Sequence, residues 1–198
     1  MKMTILIAAI AISGLWSAPV DAQPRTNYTS STAASRKVPL SLQNKLNEQF
    51  KEELTSAYYY FAVSNYFEEQ GLEGCMKWFE KQAKEEMDHA MKVYTFMQRR
   101  DIPIAFPSLE GPRVNFSSPF EAFKQGLEKE EVLSGKIREI YSTAQKMDEY
   151  EIATFLNFFL EEQVEEEDLF RTIVKKFDLV PNGDGVAILI IDQQLGQR

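Results

Sequence analysis

AKEEMDHA, residues 83–90, and EEQVEEEDLF, residues 161–170, carry two versions of one pattern. In the first, Glu86 is followed three residues later by His89. In the second, Gln163 is followed three residues later by Glu166. An upstream glutamate completes each set, Glu53 for the first and Glu130 for the second. The two triplets are displaced from each other by 77 residues at every position. His89 is the one histidine in the chain. Residues three apart share a side of a helix, so Glu86 and His89 can reach one ion. A helix pair bearing one carboxylate and then an E-x-x-H or Q-x-x-E step therefore occurs twice. Such a duplication sets two half-sites face to face in a bundle core, which is how a two-metal carboxylate site is built.

The apolar spacing supplies the helices. Leu46, Phe50, Glu53, Ala57, Tyr60, Ser64 and Phe67 follow alternating steps of 4 and 3 from a start near Ser41. Gly71 and Gly74 read as the end of this first helix. A second stripe runs Met76, Phe79, Ala83, Glu86, Ala90, Val93, Met97. A third runs Phe120, Phe123, Leu127, Glu130, Ser134, Ile137, Tyr141, Ala144. After a break near Met147 to Tyr150, a fourth runs Phe155, Phe159, Gln163, Glu166, Phe170, Ile173, Phe177. Pro103, Pro107, Gly111, Pro112 and Pro119 make residues 101–119 an extended connection. Links between bundle helices usually run about 2–8 residues, so this one crosses the bundle. The sequence thus predicts an all-α four-helix bundle with one long crossover between helices two and three, plus a short fifth helix over Val186 to Leu195.

All the singled-out acids lie on apolar stripes. Any one of them, in a chain with 30 Asp and Glu, reads as a surface acid. The repeat and the shared phasing reverse that reading for the set. A buried carboxylate without a partner costs several kcal/mol and takes up a proton. Multivalent cations remove both the desolvation problem and the mutual repulsion. Oxygen-rich ligands with one imidazole suit iron or manganese better than zinc or copper(I). Glu85 and Glu162, also 77 apart, form with Glu165 a further acidic set facing away from the core pair. Tyr60 stands two turns from Glu53 on the same face, either as a hydrogen-bond or electron donor or as a plain core tyrosine.

Composition limits the alternatives. At 198 residues the chain is one domain's length. Residues 1–37 hold four basic side chains and one acid, so within the total of −8 the remaining body carries −11. That argues against a nucleic-acid partner, which needs a basic face. It suits a surface that attracts cations, or one that is merely soluble. Cys75 is the single cysteine, which removes intrachain disulfides and thiolate metal sites.

Residues 1–22 read as a signal peptide, with Lys2, an apolar stretch from Ile5 to Trp16 and a small-residue end at Val20-Asp21-Ala22. Residues 23–40 read as a Ser/Thr-rich linker or transit segment, leaving 41–198 as the domain. The expected destination is the secretory pathway, extracellular or periplasmic, or a plastid or other organelle if the linker is a transit peptide. No stable membrane insertion is expected after leader removal. Asn27 and Asn115 stand in glycosylation sequons.

Residues 41–195 resemble the ferritins, in particular the bacterial-type non-haem ferritins. The resemblance rests on LNEQFKEEL around Glu53, AKEEMDHA around Glu86 and His89, LEKEE around Glu130 and EEQVEEEDLF around Gln163 and Glu166. It implies a ferroxidase centre oxidising Fe(II) to Fe(III) with dioxygen or peroxide. Glu53, Glu86 and His89 would hold one iron. Glu86, bridging, with Glu130 and Glu166 would hold the other, with Gln163 beside it. Glu85, Glu162 and Glu165, with Glu166, would form a third iron site, and Tyr60 matches the tyrosine next to the centre. The resemblance further implies a homo-oligomeric shell of 24 subunits storing ferric mineral. Bacterioferritins carry a second E-x-x-H where this chain has Gln163-x-x-Glu166, so no haem is expected. The alternatives are a di-iron peroxidase or oxidase resembling rubrerythrin, and a cage subunit without chemistry.

Overall fold

The structure is a computed structural model, and it describes residues 37–180 and 183–197. The leader and most of the linker read from the sequence, residues 1–36, lie outside the described residues. Five helices are present among those described: α1 (Leu40–Glu69), α2 (Glu73–Arg99), α3 (Pro119–Lys146), α4 (Tyr150–Asp178) and α5 (Gly185–Leu195). No strand occurs among the described residues, and the fold is the all-α bundle with one crossover and a short fifth helix. None of the helices is long and apolar enough to cross a membrane.

The described residues include the last four of the segment read as linker, 37–40. Val38 is already buried, and Gln43 Nε2 donates to its carbonyl at 2.6 Å. α1 and α2 form one antiparallel hairpin, α3 and α4 the other, with residues 100–118 crossing between them.

The 77-residue displacement extends to the backbone. α1 ends at Glu69 and α3 at Lys146, while α2 begins at Glu73 and α4 at Tyr150. Both hairpin turns close in the same way. Gly71 (φ 72°) and Asp148 (φ 56°) take the left-handed conformation, and the following N–H groups reach back to Phe67 O at 3.0 Å and Ala144 O at 2.9 Å. This is the Schellman closure of a helix C-terminus, and glycine adopts it with least strain.

The sequence reading of Gly74 as a helix end is corrected. Gly74 lies inside the first turn of α2, and its missing side chain serves packing. A Cβ there would fall 1.7 Å from the carbonyl oxygen of Asp192. The Cys75 N–H donates to Asp192 Oδ1 at 2.7 Å, so a carboxylate from α5 caps the α2 N-terminus. α3 starts on its own cap: Ser118 Oγ accepts from Glu121 N at 3.2 Å, and Glu121 Oε2 accepts from Ser117 N at 2.6 Å. Pro119 occupies the first turn, where its absent N–H costs nothing.

The core has two apolar clusters stacked along the bundle. One gathers Leu42, Leu46, Phe50, Val93, Met97, Ile137, Leu156 and Phe159. The other is aromatic, with Tyr60, Phe67, Trp78, Phe79, Phe123 and Phe170 in mutual ring contact. On α1 to α4 the residues of the two triplets fall between the two clusters, so the bundle interior carries a layer of ionisable groups sealed by hydrocarbon above and below.

Candidate metal centre

Every residue of the two triplets is buried: Glu53, Glu86, His89, Glu130, Gln163 and Glu166 are each 5% exposed or less. Their helices place them there because the 3–4 stripe that buries Phe50 and Ala57 buries Glu53 between them. The same holds for Glu86 between Ala83 and Ala90. On α4, Phe159 and Phe170 flank Gln163 and Glu166.

One atom from each of Glu53, Glu86 and His89 lies within 4.8 Å of the others, a spacing that fits a single cation. His89 Nδ1 stands 3.4 Å from Glu86 Oε2, and its Nε2 stands 3.8 Å from Glu162 Oε2. Glu53 Oε1 accepts from Gln49 Nε2 at 2.6 Å. Its Oε2 is buried without a hydrogen-bond donor. An orphaned carboxylate oxygen aimed at another carboxylate is the mark of a position that a cation fills.

The second half-site holds Glu130 more firmly. The Tyr60 hydroxyl donates to Glu130 Oε1. Gln163 Nε2 donates to Glu130 Oε2 at 3.0 Å, to the Glu130 carbonyl at 3.2 Å and lies 3.2 Å from Ser134 Oγ. Glu166 Oε2 accepts from Gln82 Nε2 at 2.6 Å. Beyond this ring, Ser134 Oγ donates to Glu167 Oε1 at 2.6 Å.

The electrostatics follow from burial. Desolvation pushes the carboxyls of Glu53, Glu86 and Glu130 above the ordinary carboxylate range. The neighbouring Glu86 adds to the rise at Glu53, and Glu130 adds to it at Glu86. At Glu130 the Tyr60 and Gln163 donors work against the rise. Burial, and then the Glu130 charge, push the Tyr60 phenol up as well. Without a cation the layer therefore holds protons. A cation held by Glu53, Glu86 and His89 would supply the same neutralisation.

The further acids behave differently. Glu162 is about one-third exposed beside His89, Glu85 pairs with Lys81 at 3.4 Å, and Glu165 is exposed. Gln49 and Gln82 were not singled out by the sequence reading. Each precedes a core glutamate by four residues on the same stripe, Gln49 before Glu53 and Gln82 before Glu86, and that spacing was the available signal.

Four helices with one crossover, converging carboxylates and an imidazole on a sealed interior layer, define the class of helical-bundle carboxylate metalloproteins. Residues 43–180 match the ferritin family, described as a ferritin-like domain, and the chain belongs to that family. The bacterial non-heme ferritin of Staphylococcus aureus (strain USA300) is 32% identical over 158 residues, which cover 80% of this chain and 95% of that one. The bacterial non-heme ferritin of Staphylococcus haemolyticus (strain JCSC1435) is 32% identical over 157 residues, covering 79% and 94%. Among solved structures, an open pore ferritin from the hyperthermophilic archaeon Archaeoglobus fulgidus superposes with a TM-score of 0.79 at 32% identity, over 81% of this chain and 99% of that one.

Proposed function

We propose that this chain stores iron: it oxidises Fe(II) to Fe(III) at a di-iron ferroxidase centre within the subunit and deposits ferric mineral inside a multi-subunit shell. The observation that carries the reading is the buried layer, where Glu53, Glu86 and Glu130 crowd in an interior that cannot hold them as anions without cations. Membership of the ferritin family, and relatives named as non-heme ferritins, support iron as the metal.

Fe(II) is the substrate. Glu53, Glu86 and His89 hold one ion. Glu130 and Glu166 hold the second, with Glu86 bridging and Gln163 fixing Glu130. Each Fe(II) gives up one electron, and dioxygen leaves as hydrogen peroxide after taking two electrons and two protons. The protons displaced from the glutamates as iron binds are a local source for that demand. Tyr60 and Gln163 hold the Glu130 carboxylate in one orientation, so its oxygens need not reorganise when charge changes at the metal. Glu85, Glu162 and Glu165, with Glu166, form a third iron position, and the 3.8 Å approach of Glu162 to His89 supports its closeness to the centre.

Exposed Val186, Leu189 and Ile190 on α5 give an apolar face that a single chain leaves in water, which supports self-association into a shell, proposed at 24 copies. Residues 1–22 are proposed as an export or organelle leader.

Anaerobic Fe(II) loading followed by air tests the centre. Glu86→Ala, which removes the shared ligand, is expected to lose the fast oxidation phase. Wild-type rates in that variant overturn the assignment. Sizing the mature protein with iron analysis of the same fraction tests storage: a small, iron-poor particle after loading rules it out.

A further inference from the structure

An open cleft lies outside the metal centre, between the C-terminal half of α2 and the N-terminal half of α4, with a volume of about 500 Å³. Its walls are Phe96, Phe155 and Phe158, with Met91 beside them. Phe96 and Phe155 stack at 4.0 Å between centroids with 6° between planes, which gives the cleft a preformed aromatic wall. Phe158 forms the side nearest the centre, packing edge-on against His89 at 5.8 Å.

The polar mouth has an unusual sign for this protein. Against a total charge of −8, the cleft carries Lys92 and Arg99 and a single acid, Asp88. Lys92 Nζ sits 4.8 Å from the centre of the Phe158 ring. Among the described residues no carboxylate pairs with either Lys92 or Arg99, although most other basic side chains of the bundle are paired. The two cations are seven residues apart on one helix. That puts them on the same face, about 10 Å apart along the axis. A volume of this size suits a small-molecule ligand, and an aromatic wall with a few placed charges fixes its orientation.

We propose that this cleft binds a planar heteroaromatic phosphate, of the flavin mononucleotide or adenine nucleotide kind. The ring lies along the Phe96–Phe155 wall, and the doubly charged phosphate lies between Lys92 and Arg99. Arg99 offers the planar fork that matches phosphate oxygens, and Lys92 adds a point charge. A neutral flat molecule satisfies the wall and leaves both cations unpaired. Inorganic phosphate satisfies the cations and leaves the wall bare. Both parts are needed, and the site is separate from the residues assigned to iron.

The test uses the full-length mature protein as assembled, titrated with flavin mononucleotide, riboflavin, adenosine monophosphate and inorganic phosphate, by flavin fluorescence and calorimetry. At least one of the two phosphates that carry a ring is expected to saturate well below about 1 mM. The tighter of the two identifies the ring. Riboflavin is expected to bind about tenfold or more weakly than its phosphate. The double variant Lys92→Gln/Arg99→Gln is expected to lose about tenfold or more in affinity, with unchanged helix content, particle size and ferrous oxidation rate. Absence of saturable binding by either ring-bearing phosphate overturns the proposal. So does equal affinity of the double variant, or displacement by inorganic phosphate at equal concentration. None of these results bears on iron oxidation, which is read in the same samples.

Discussion

Glu53→Gln separates the cost of the buried anions from their use. Glu53 is fully buried, its Oε1 is satisfied by Gln49 and its Oε2 faces Glu86. The substitution keeps volume and the Gln49 contact, and it turns the orphan acceptor into an N–H donor toward Glu86. At neutral pH, keeping a buried carboxyl protonated costs the folded state about 1.4 kcal/mol for each pH unit above the free glutamate value, and a neutral amide avoids that cost. Taking about 2 kcal/mol, the metal-stripped protein should melt about 4–8 °C higher at neutral pH, using the slope for a domain of this size. The metal response should change in the opposite direction. A cation at about 100 times its dissociation constant stabilises the wild type by about 2.7 kcal/mol, and the variant, short of one anionic ligand, should gain little. Calorimetric scans of both proteins, stripped and then loaded anaerobically with Fe(II), measure the four values. A stripped variant that melts several degrees below wild type, yet gains as much on loading, would show that Glu53 serves packing and not cation binding.

Three further outcomes follow from the same geometry. The raised carboxyls of Glu53, Glu86 and Glu130 mean that the folded, metal-free protein binds more protons than the unfolded chain. Their contribution to stability is therefore full below the unfolded glutamate value of about 4.3 and is lost as pH rises through the elevated folded values. Urea midpoints of stripped protein should accordingly fall from about pH 5 toward neutrality, and loading with Fe(II) should flatten that slope. Tyr60→Phe strips Glu130 Oε1 of its donor and should cost about 1–3 kcal/mol in urea unfolding, while moving Fe(II) binding to higher pH in an anaerobic titration. Gly74→Ala drives a methyl into the Asp192 carbonyl at 1.7 Å and should cost about 2–3 kcal/mol, with α5 amides losing hydrogen-exchange protection first.

The bundle was legible because burial imposes a period. The α1 stripe reappears whole as a buried face, the other three do so in most of their members, with Met76, Phe120, Leu127, Tyr141 and Phe155 half-buried, and the proline-rich stretch reappears as the crossover. The six site residues were legible for the opposite reason: they break the apolar rule at positions 77 apart, and the structure buries all six. What escaped was contact between elements distant in sequence. Gly74 resembled a helix stop because glycine marks C-termini; only the approach of α5 explains it. Gln82 supports Glu166 across 84 residues, and no local spacing encodes that pairing. Arg100 meets the buried Glu149 at 3.3 Å, a link between the crossover's start and the second hairpin that reads in the sequence as two ordinary surface charges.

The equivalence of the two hairpin turns bears on how the molecule assembles itself. α1 packs chiefly on α2 and α3 on α4, so most packing is made between near neighbours along the chain. Contacts of that kind form quickly, whereas closing the 19-residue crossover comes at a greater entropic cost. Neither hairpin alone holds both halves of the ligand set. The complete set therefore comes together last, when the two hairpins dock, although Glu53, Glu86 and His89 already share the first of them.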